Sequence, residues 1–214
     1  MTTRLVVVGA GGFGRETLDV VDAVNRGSGS AEFEVLGVLD DAPSAENLGR
    51  LCTRGIANLG SVGAWLRAGD DADYLIAVGS SSARRELAEK FDSLGLRPAT
   101  VVHPQAVVGS AGSIGGGTII CSGVQVSTNV HLGRHVHLNP NATVGHDSTV
   151  GDFVSVNPAA TISGECTIGH DTLIGSAAVI LQALDVGTGS VVGASACVTR
   201  NVARGVVVKG VPAR

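Results

Sequence analysis

The chain has 214 residues, 44% of them hydrophobic but only 3% aromatic, with 31 glycines and a formal net charge of −4. A mildly acidic chain without a Lys/Arg cluster lacks the electrostatic footprint of a nucleic-acid binder, and no window is long and apolar enough to span a bilayer. The four cysteines (Cys52, Cys121, Cys166, Cys197) have no paired short spacing, which excludes a zinc ribbon or a dithiol redox motif and suits a reducing, cytoplasmic setting.

From Thr3 to about Leu96, strand and helix patterns alternate. The start, MTTRLVVVGAGGFGRE, reads as a strand and turn rather than a signal peptide, because Gly and Arg interrupt the apolar run early. RLVVVGA predicts a buried strand and GGFGRETLDVVDAVN a helix. FEVLGVLDD predicts a second strand, GSVGAWLRAG a short helix and ADYLIAVGS a third strand. SSARRELAEKFDSLG opens with serines able to cap a helix and carries Leu87, Phe91 and Leu94 at helical spacing. This alternation predicts a small parallel sheet with right-handed crossovers, a half-Rossmann-like α/β domain over residues 1–100.

After His103 the pattern changes. Every sixth residue from Val102 through Val108, Ile114, Ile120 and onward to Val198 is aliphatic, 17 in 17 steps, and Arg204 ends the run. If aliphatics filled roughly a third of positions, chance would give this with probability on the order of 10⁻⁸. Gly repeatedly follows the aliphatic residue, as at Gly109, Gly133, Gly145 and Gly175. Each hexapeptide then makes one short strand and one corner, and three make a triangular coil. Residues eighteen apart stack on successive coils, about 4.8 Å from each other. Residues 101–214 are thus expected to form a left-handed parallel β-helix, with the small residues permitting tight corners.

Two elements carry chemistry. GAGGFG places Gly9, Gly11 and Gly14 in G-x-G-x-x-G spacing after the first strand, with Asp40 and Asp41 after the second. Such glycines let backbone amides approach a phosphate at a helix N-terminus, and an acidic residue there can bind a ribose or base edge. A nucleotide sugar, NAD and a purely structural tight turn all remain open. A dinucleotide, however, normally needs two mononucleotide halves, and about a hundred residues hold one. The second element is NATVGHDSTVGDF, which sets His146 beside Asp147 on an outward corner. Histidine near neutrality is a good general base, and an adjacent carboxylate raises its basicity. Stacking puts Gly164 one coil above His146, where its N–H could face a developing oxyanion. IGHDTLIG repeats the pair as His170 and Asp171 one face further round, so at most one pair serves a given site.

With these residues in hand, the chain resembles the sialic acid O-acetyltransferase and bacillosamine/perosamine N-acetyltransferase family of sugar acyltransferases. GAGGFGRE, VLDD, IAVGSSSARR, VHPQAVVG, NATVGHDSTVGDF, TISGECTIG and VKGVPAR carry the resemblance, in order, over nearly the whole chain. It implies acetyl-CoA as donor, a nucleotide-linked sugar as acceptor and a homotrimer with sites between neighbouring prisms. It implies no metal and no nucleic-acid or membrane partner. His146 becomes the general base and Asp147 its orienting residue, with Gly164, Ser176 and Ala194 at acetyl-CoA contacts. Sugar-nucleotide contacts carry over to Gly11, Gly12, Phe13, Asp40, Asp41 and Gly79. The N-acetyltransferase branch has a second histidine nine residues after the base, near the acetyl group. That position is Ser155 here, stacked over His137, which leaves N- and O-acetylation both open.

Two other functions compete. A zinc hydratase like the γ-type carbonic anhydrases, which share the β-helix, would use His131, His135 and His137, yet three histidines on one solvated face are more often polar corners. A non-catalytic trimer sensing a nucleotide sugar would leave His146, Asp147 and Gly164 idle.

Overall fold

The computed structural model describes residues 2–27, 29 and 31–214, and the chain divides into two compact units, Met1–Val101 and Val102–Arg214.

In the first unit, β1 (Thr3–Val8), α1 (Gly12–Gly27), β2 (Phe33–Leu39), α2 (Ala45–Thr53), α3 (Val62–Ala68), β3 (Asp73–Ile76) and α4 (Ser81–Asp92) follow in order. The three strands form a parallel sheet in the order β2-β1-β3. Central β1 is the most apolar, and Leu5 to Val8 are at most 2% exposed. The sheet is widened by single parallel bridges, Asn58 beside Val38 and Pro98 beside Tyr74.

Helix α2 is absent from the sequence-based reading. Its N-cap is regular, Ser44 accepting from the Asn47 N–H, but among its residues only Leu51 is buried. A single buried position leaves almost no periodic signal. Helix α4 forms where expected, capped by Ser80, but its inward residues are Arg84, Ala88 and Phe91. Leu94 lies beyond the helix and is 58% exposed. Phe91 stacks on Tyr74 with ring centroids 4.4 Å apart, while the Tyr74 hydroxyl donates to Asp92 at 2.7 Å.

The second unit is a parallel β-helix of two-residue strands, β4 (Val101–Val102) to β21 (Val207–Val208). The strands stack into three sheets of seven, six and five strands, termed here the first, second and third faces in the order the chain visits them. Every residue of the six-residue aliphatic series is the second, inward residue of its strand, and from Ile120 to Val198 each is buried. The eighteen-residue register holds as far as Val198, as in His137↔Ser155, Thr143↔Thr161 and Ile180↔Val198. A second inward column of smaller residues lies four places on, including Val136, Ala142, Ser148, Val154, Ala160 and Cys166. The last coil is shorter: Val191 pairs with Val207, sixteen residues on, so the β-helix continues past the end of the aliphatic series.

The corners correct one expectation. Each of fifteen corners has one residue in the left-handed region, three places after the inward aliphatic, and twelve of these are not glycine. Only Gly117, Gly123 and Gly189 take that place as glycines. A side chain there costs roughly 1–2 kcal/mol, offset by the bond its N–H makes to the coil below, such as Asn129 N to Ser110 O at 2.9 Å. The glycines that follow the aliphatics serve clearance instead. A Cβ on Gly145 would lie 2.5 Å from Gly164 N, and one on Gly175 2.5 Å from Ala194 N.

Candidate active site

His146 and Asp147 occupy the corner after the second face, between strands Thr143–Val144 and Thr149–Val150. Asp147 is the left-handed residue there, φ 58°, a conformation aspartate tolerates better than most. Ser148 anchors the corner from inside: its hydroxyl donates to Ser163 O at 3.1 Å and accepts from Cys166 N at 3.2 Å. His146 Nδ1 and Asp147 Oδ2 are 2.7 Å apart, with the side chains 57% and 47% exposed. Asp147 Oδ1 accepts from Asn129 Nδ2 one coil below, also at 2.7 Å. These two bonds, the Asn129 one foremost, hold the Asp147 carboxyl below the ordinary carboxylate range. Nδ1 facing a carboxylate carries the ring proton, leaving the Nε2 lone pair free to accept another.

Gly164 sits over this ring as the stacking rule requires. A Cβ there would come within 2.6 Å of His146 Cε1 and Nε2, so any side chain would displace the imidazole. Gly164 is itself buried, and among the described residues its N–H reaches no acceptor.

His170 and Asp171 repeat the tripeptide but not the geometry. His170 Nδ1 accepts from the Asp152 N–H at 2.9 Å, and Asp152 Oδ1 accepts from the Arg134 N–H at 2.8 Å. An Nδ1 that accepts places the ring proton on Nε2. That is the opposite tautomer from His146, and its basic nitrogen is occupied by the fold.

The remaining β-helix positions lie elsewhere on the prism. Ser176 and Ala194 are exposed in one column on the corner after the first face, and Ser195 N donates to Ser176 O at 2.8 Å. Lower in that column Pro140 and Pro158 have no N–H, whereas the amides of Ser176 and Ala194 are directed to no acceptor among the described residues. Ser155 lies on the first face, 6% exposed, in register with His137 below. One chain therefore brings His146, Asp147 and Gly164 together and leaves Ser176 with Ala194, and Ser155, at separate places around the prism.

The three histidines of the zinc alternative do not share a solvated face. His131 lies on the third face with Nδ1 2.9 Å from Ser113 Oγ. His137 is on the first face, 2% exposed. His135 is fully buried at a corner, its ring stacked 5.2 Å from Phe153. Among the described residues no group of three His, Cys, Asp or Glu side chains could hold a metal ion.

In the first unit, the predicted sugar-nucleotide residues all follow the carboxyl ends of the strands. Gly11, Gly12 and Phe13 come after β1, Asp40 and Asp41 after β2, and Gly79 after β3. Chain order changes direction beside β1 in a β2-β1-β3 sheet, which makes this end the topological switch point of the fold. The glycines divide the work. A Cβ on Gly14 would meet Gly9 O at 1.8 Å, so Gly14 lets α1 pack against β1, while Gly11, Gly12 and Gly79 face open space. Asp40 holds the loop, Oδ2 accepting from Ala10 N at 2.8 Å and Oδ1 from Ala42 N at 2.9 Å. Asp41 is exposed, and its Oδ1 accepts from Val62 N, the first amide of α3, at 2.9 Å.

Three residues at these places escaped the sequence reading. Arg15 Nη1 binds Ala10 O at 3.0 Å and Asn47 Oδ1 at 2.6 Å, tying the glycine loop to α2. Arg84, fully buried, donates to Val78 O at 2.7 Å beneath the turn that carries Gly79. Asn129 could have been found by subtracting eighteen from Asp147. The two arginines have no comparable signal.

Residues 4–91 match the PglD N-terminal domain family. A search of the curated proteins finds no match. Among solved structures, the acetyltransferase domain of PglB from Neisseria gonorrhoeae FA1090, in complex with acetyl coenzyme A, is 28% identical with a TM-score of 0.87, covering 100% of this chain and 99% of that one. A mutant of perosamine N-acetyltransferase from Caulobacter crescentus, in complex with CoA and GDP-perosamine, is 25% identical with a TM-score of 0.87, covering 98% and 95%. WeeI from Acinetobacter baumannii AYE is 27% identical with a TM-score of 0.82, covering 100% and 99%. With its first domain matched to PglD and its full length aligned to two named acetyltransferases, the chain fits the sugar acetyltransferase family.

Proposed function

We propose that this protein transfers the acetyl group of acetyl-CoA to an amino or hydroxyl group of a nucleotide-linked sugar. The observation that carries this reading is the end-to-end likeness to acetyltransferases solved with acetyl-CoA, or with CoA and GDP-perosamine. His146 Nε2 takes the proton as the acceptor nitrogen or oxygen attacks the thioester carbonyl carbon. The C–S bond then breaks, and the proton passes to the departing CoA thiolate. Asp147 holds the ring and stabilises the imidazolium. Gly164 leaves room for the ring and has an uncommitted N–H for the carbonyl oxygen. Transfer is direct: Cys166, the cysteine of the matched motifs nearest Gly164, is buried, its thiol donates to Gly164 O and Leu181 O, and burial pushes that thiol's pKa up, so it does not serve as the nucleophile.

The acetyl-CoA donor lies along the Ser176 and Ala194 column, whose free amides suit pantetheine carbonyls. Because that column and His146 occupy different corners of one prism, a neighbouring copy completes the groove, and the assembly is a homotrimer. Ser155 stands where the N-acetyltransferase branch has histidine, so both acceptor chemistries stay within the proposal. The sugar nucleotide lies at Gly11, Gly12, Phe13, Asp41 and Gly79, with Asp40 supporting the loop. Four free cysteines suit a cytoplasmic reaction.

Thiol release from acetyl-CoA, assayed with UDP-, GDP-, dTDP- and CMP-linked amino sugars, is the direct test. Binding of such a sugar without any release would make the protein a sensor instead. Asp41→Asn keeps an oxygen for the Val62 amide while removing the charge. It is expected to weaken sugar-nucleotide binding and leave acetyl-CoA affinity unchanged; equal losses by calorimetry would overturn the division of labour between domains.

A further inference from the structure

We infer that Asn129 is a positioning residue for the acetyl transfer, holding the Asp147 carboxylate in the orientation that faces His146 Nδ1. This inference rests on His146 being the base. Asp147 stands on an exposed corner, where water would otherwise draw its carboxylate away from the ring. Its two oxygens are instead divided between two partners at equal distance, Oδ2 to His146 and Oδ1 to Asn129 Nδ2, each 2.7 Å. Asn129 is itself fixed. It takes the left-handed place of the coil below, φ 55°, and its N–H donates to Ser110 O at 2.9 Å.

The residue type suits the task. A neutral amide donor clamps the carboxylate without neutralising it, so its full charge still acts on the imidazole. A cation would cancel that charge, and a second carboxylate would compete for the proton. The titratable groups around Asp147 are His146 and, one coil above in the same column, Glu165, whose N–H donates to His146 O at 2.8 Å. Asn129 is the one neutral member of this cluster that donates to Asp147, and its bond is the foremost cause of the lowered Asp147 pKa.

Two variants fit the left-handed backbone without new strain. Asn129→Gly removes the donor, and Asn129→Asp replaces it with a carboxylate. Asn129→Gly is expected to lower kcat roughly threefold to thirtyfold with both KM values within about twofold, and to move the acidic limb of the pH–rate profile to lower pH, because a released carboxylate supports the imidazolium less. Asn129→Asp is expected to move that limb to higher pH, since added negative charge favours the protonated ring. Opposite shifts in variants with wild-type melting temperatures are what a merely structural residue would not produce. An unchanged kcat and pH limb in both, or a change confined to KM, overturns the inference. His146→Asn measured alongside separates the two claims. If that variant stays active, the base lies elsewhere and both fall. If it is inactive while the Asn129 variants behave as wild type, only the positioning role fails.

Discussion

The tripeptide Gly-His-Asp occurs twice in the β-helix, at 145–147 and 169–171. At the first, the imidazole faces the neighbouring carboxylate and leaves Nε2 free. At the second, it turns down to the coil below and accepts the Asp152 amide at Nδ1, completing a relay that ends on the Arg134 N–H. The difference arises eighteen residues earlier. Asn129 beneath Asp147 draws the aspartate into place, whereas Asp152 beneath His170 captures the histidine itself. In a stacked coil the tautomer of a histidine is set by what lies under it as much as by its neighbour in sequence.

Exchanging the two rings tests this most severely. His146→Asn is expected to cost roughly 10²–10⁴ in kcat with little change in either KM. His170→Asn, which keeps an acceptor near the Asp152 amide, should stay within about twofold. Loss of activity in the second variant and not the first would reverse the assignment.

Gly164→Ala comes next. Its Cβ would lie 2.6 Å from the imidazole, so the ring must leave its place, and kcat is expected to fall about tenfold or more while the melting temperature moves little. Wild-type turnover would show that the position of the ring does not matter. At the other corner, Asp152→Ala removes the acceptor of the Arg134 amide. About 1 kcal/mol of stability, or roughly 2–4 °C in Tm, is expected to go with activity retained. A loss of rate without a loss of Tm would give that corner a chemical role.

The smallest effect concerns pH. The folded-state pKa of Asp147 is lowered by Asn129 and His146. Its stabilising contribution is therefore present above the unfolded carboxylate range, near pH 3.9, and fades as pH falls through the lower folded value. The Tm difference between wild type and Asp147→Asn should be steady at neutral pH and vanish under strong acid. A difference that grows on acidification has the wrong sign and would argue that Asp147 is protonated in the fold.

How much was legible varied with the type of contact. The aliphatic series predicted the inward column from its period alone, and its members are the inward residues of their strands. Helix α2 was not legible, because one buried leucine makes no pattern. The corner glycines were assigned to backbone conformation, whereas Ala111, Asn129, Asp147 and nine other non-glycine residues take the left-handed places. Steric clearance between coils depends on the neighbour above, which a pattern along the chain does not display.

By itself, then, the sequence determined the two architectures, the phase of the β-helix and, up to Val198, the pairing of strand residues eighteen apart, because periodic burial of apolar groups outweighs local preference over so many repeats. It also placed the glycine loop at the end of β1. Tertiary structure decided which histidine holds a free basic nitrogen, that Asp40 accepts from the Ala10 amide of the glycine loop, and that Asn129 and Asp147 share a bond. Those outcomes turn on which of several polar atoms, all within reach along the chain, comes to about 2.7 Å of another. Only stacked coils and packed loops make that choice.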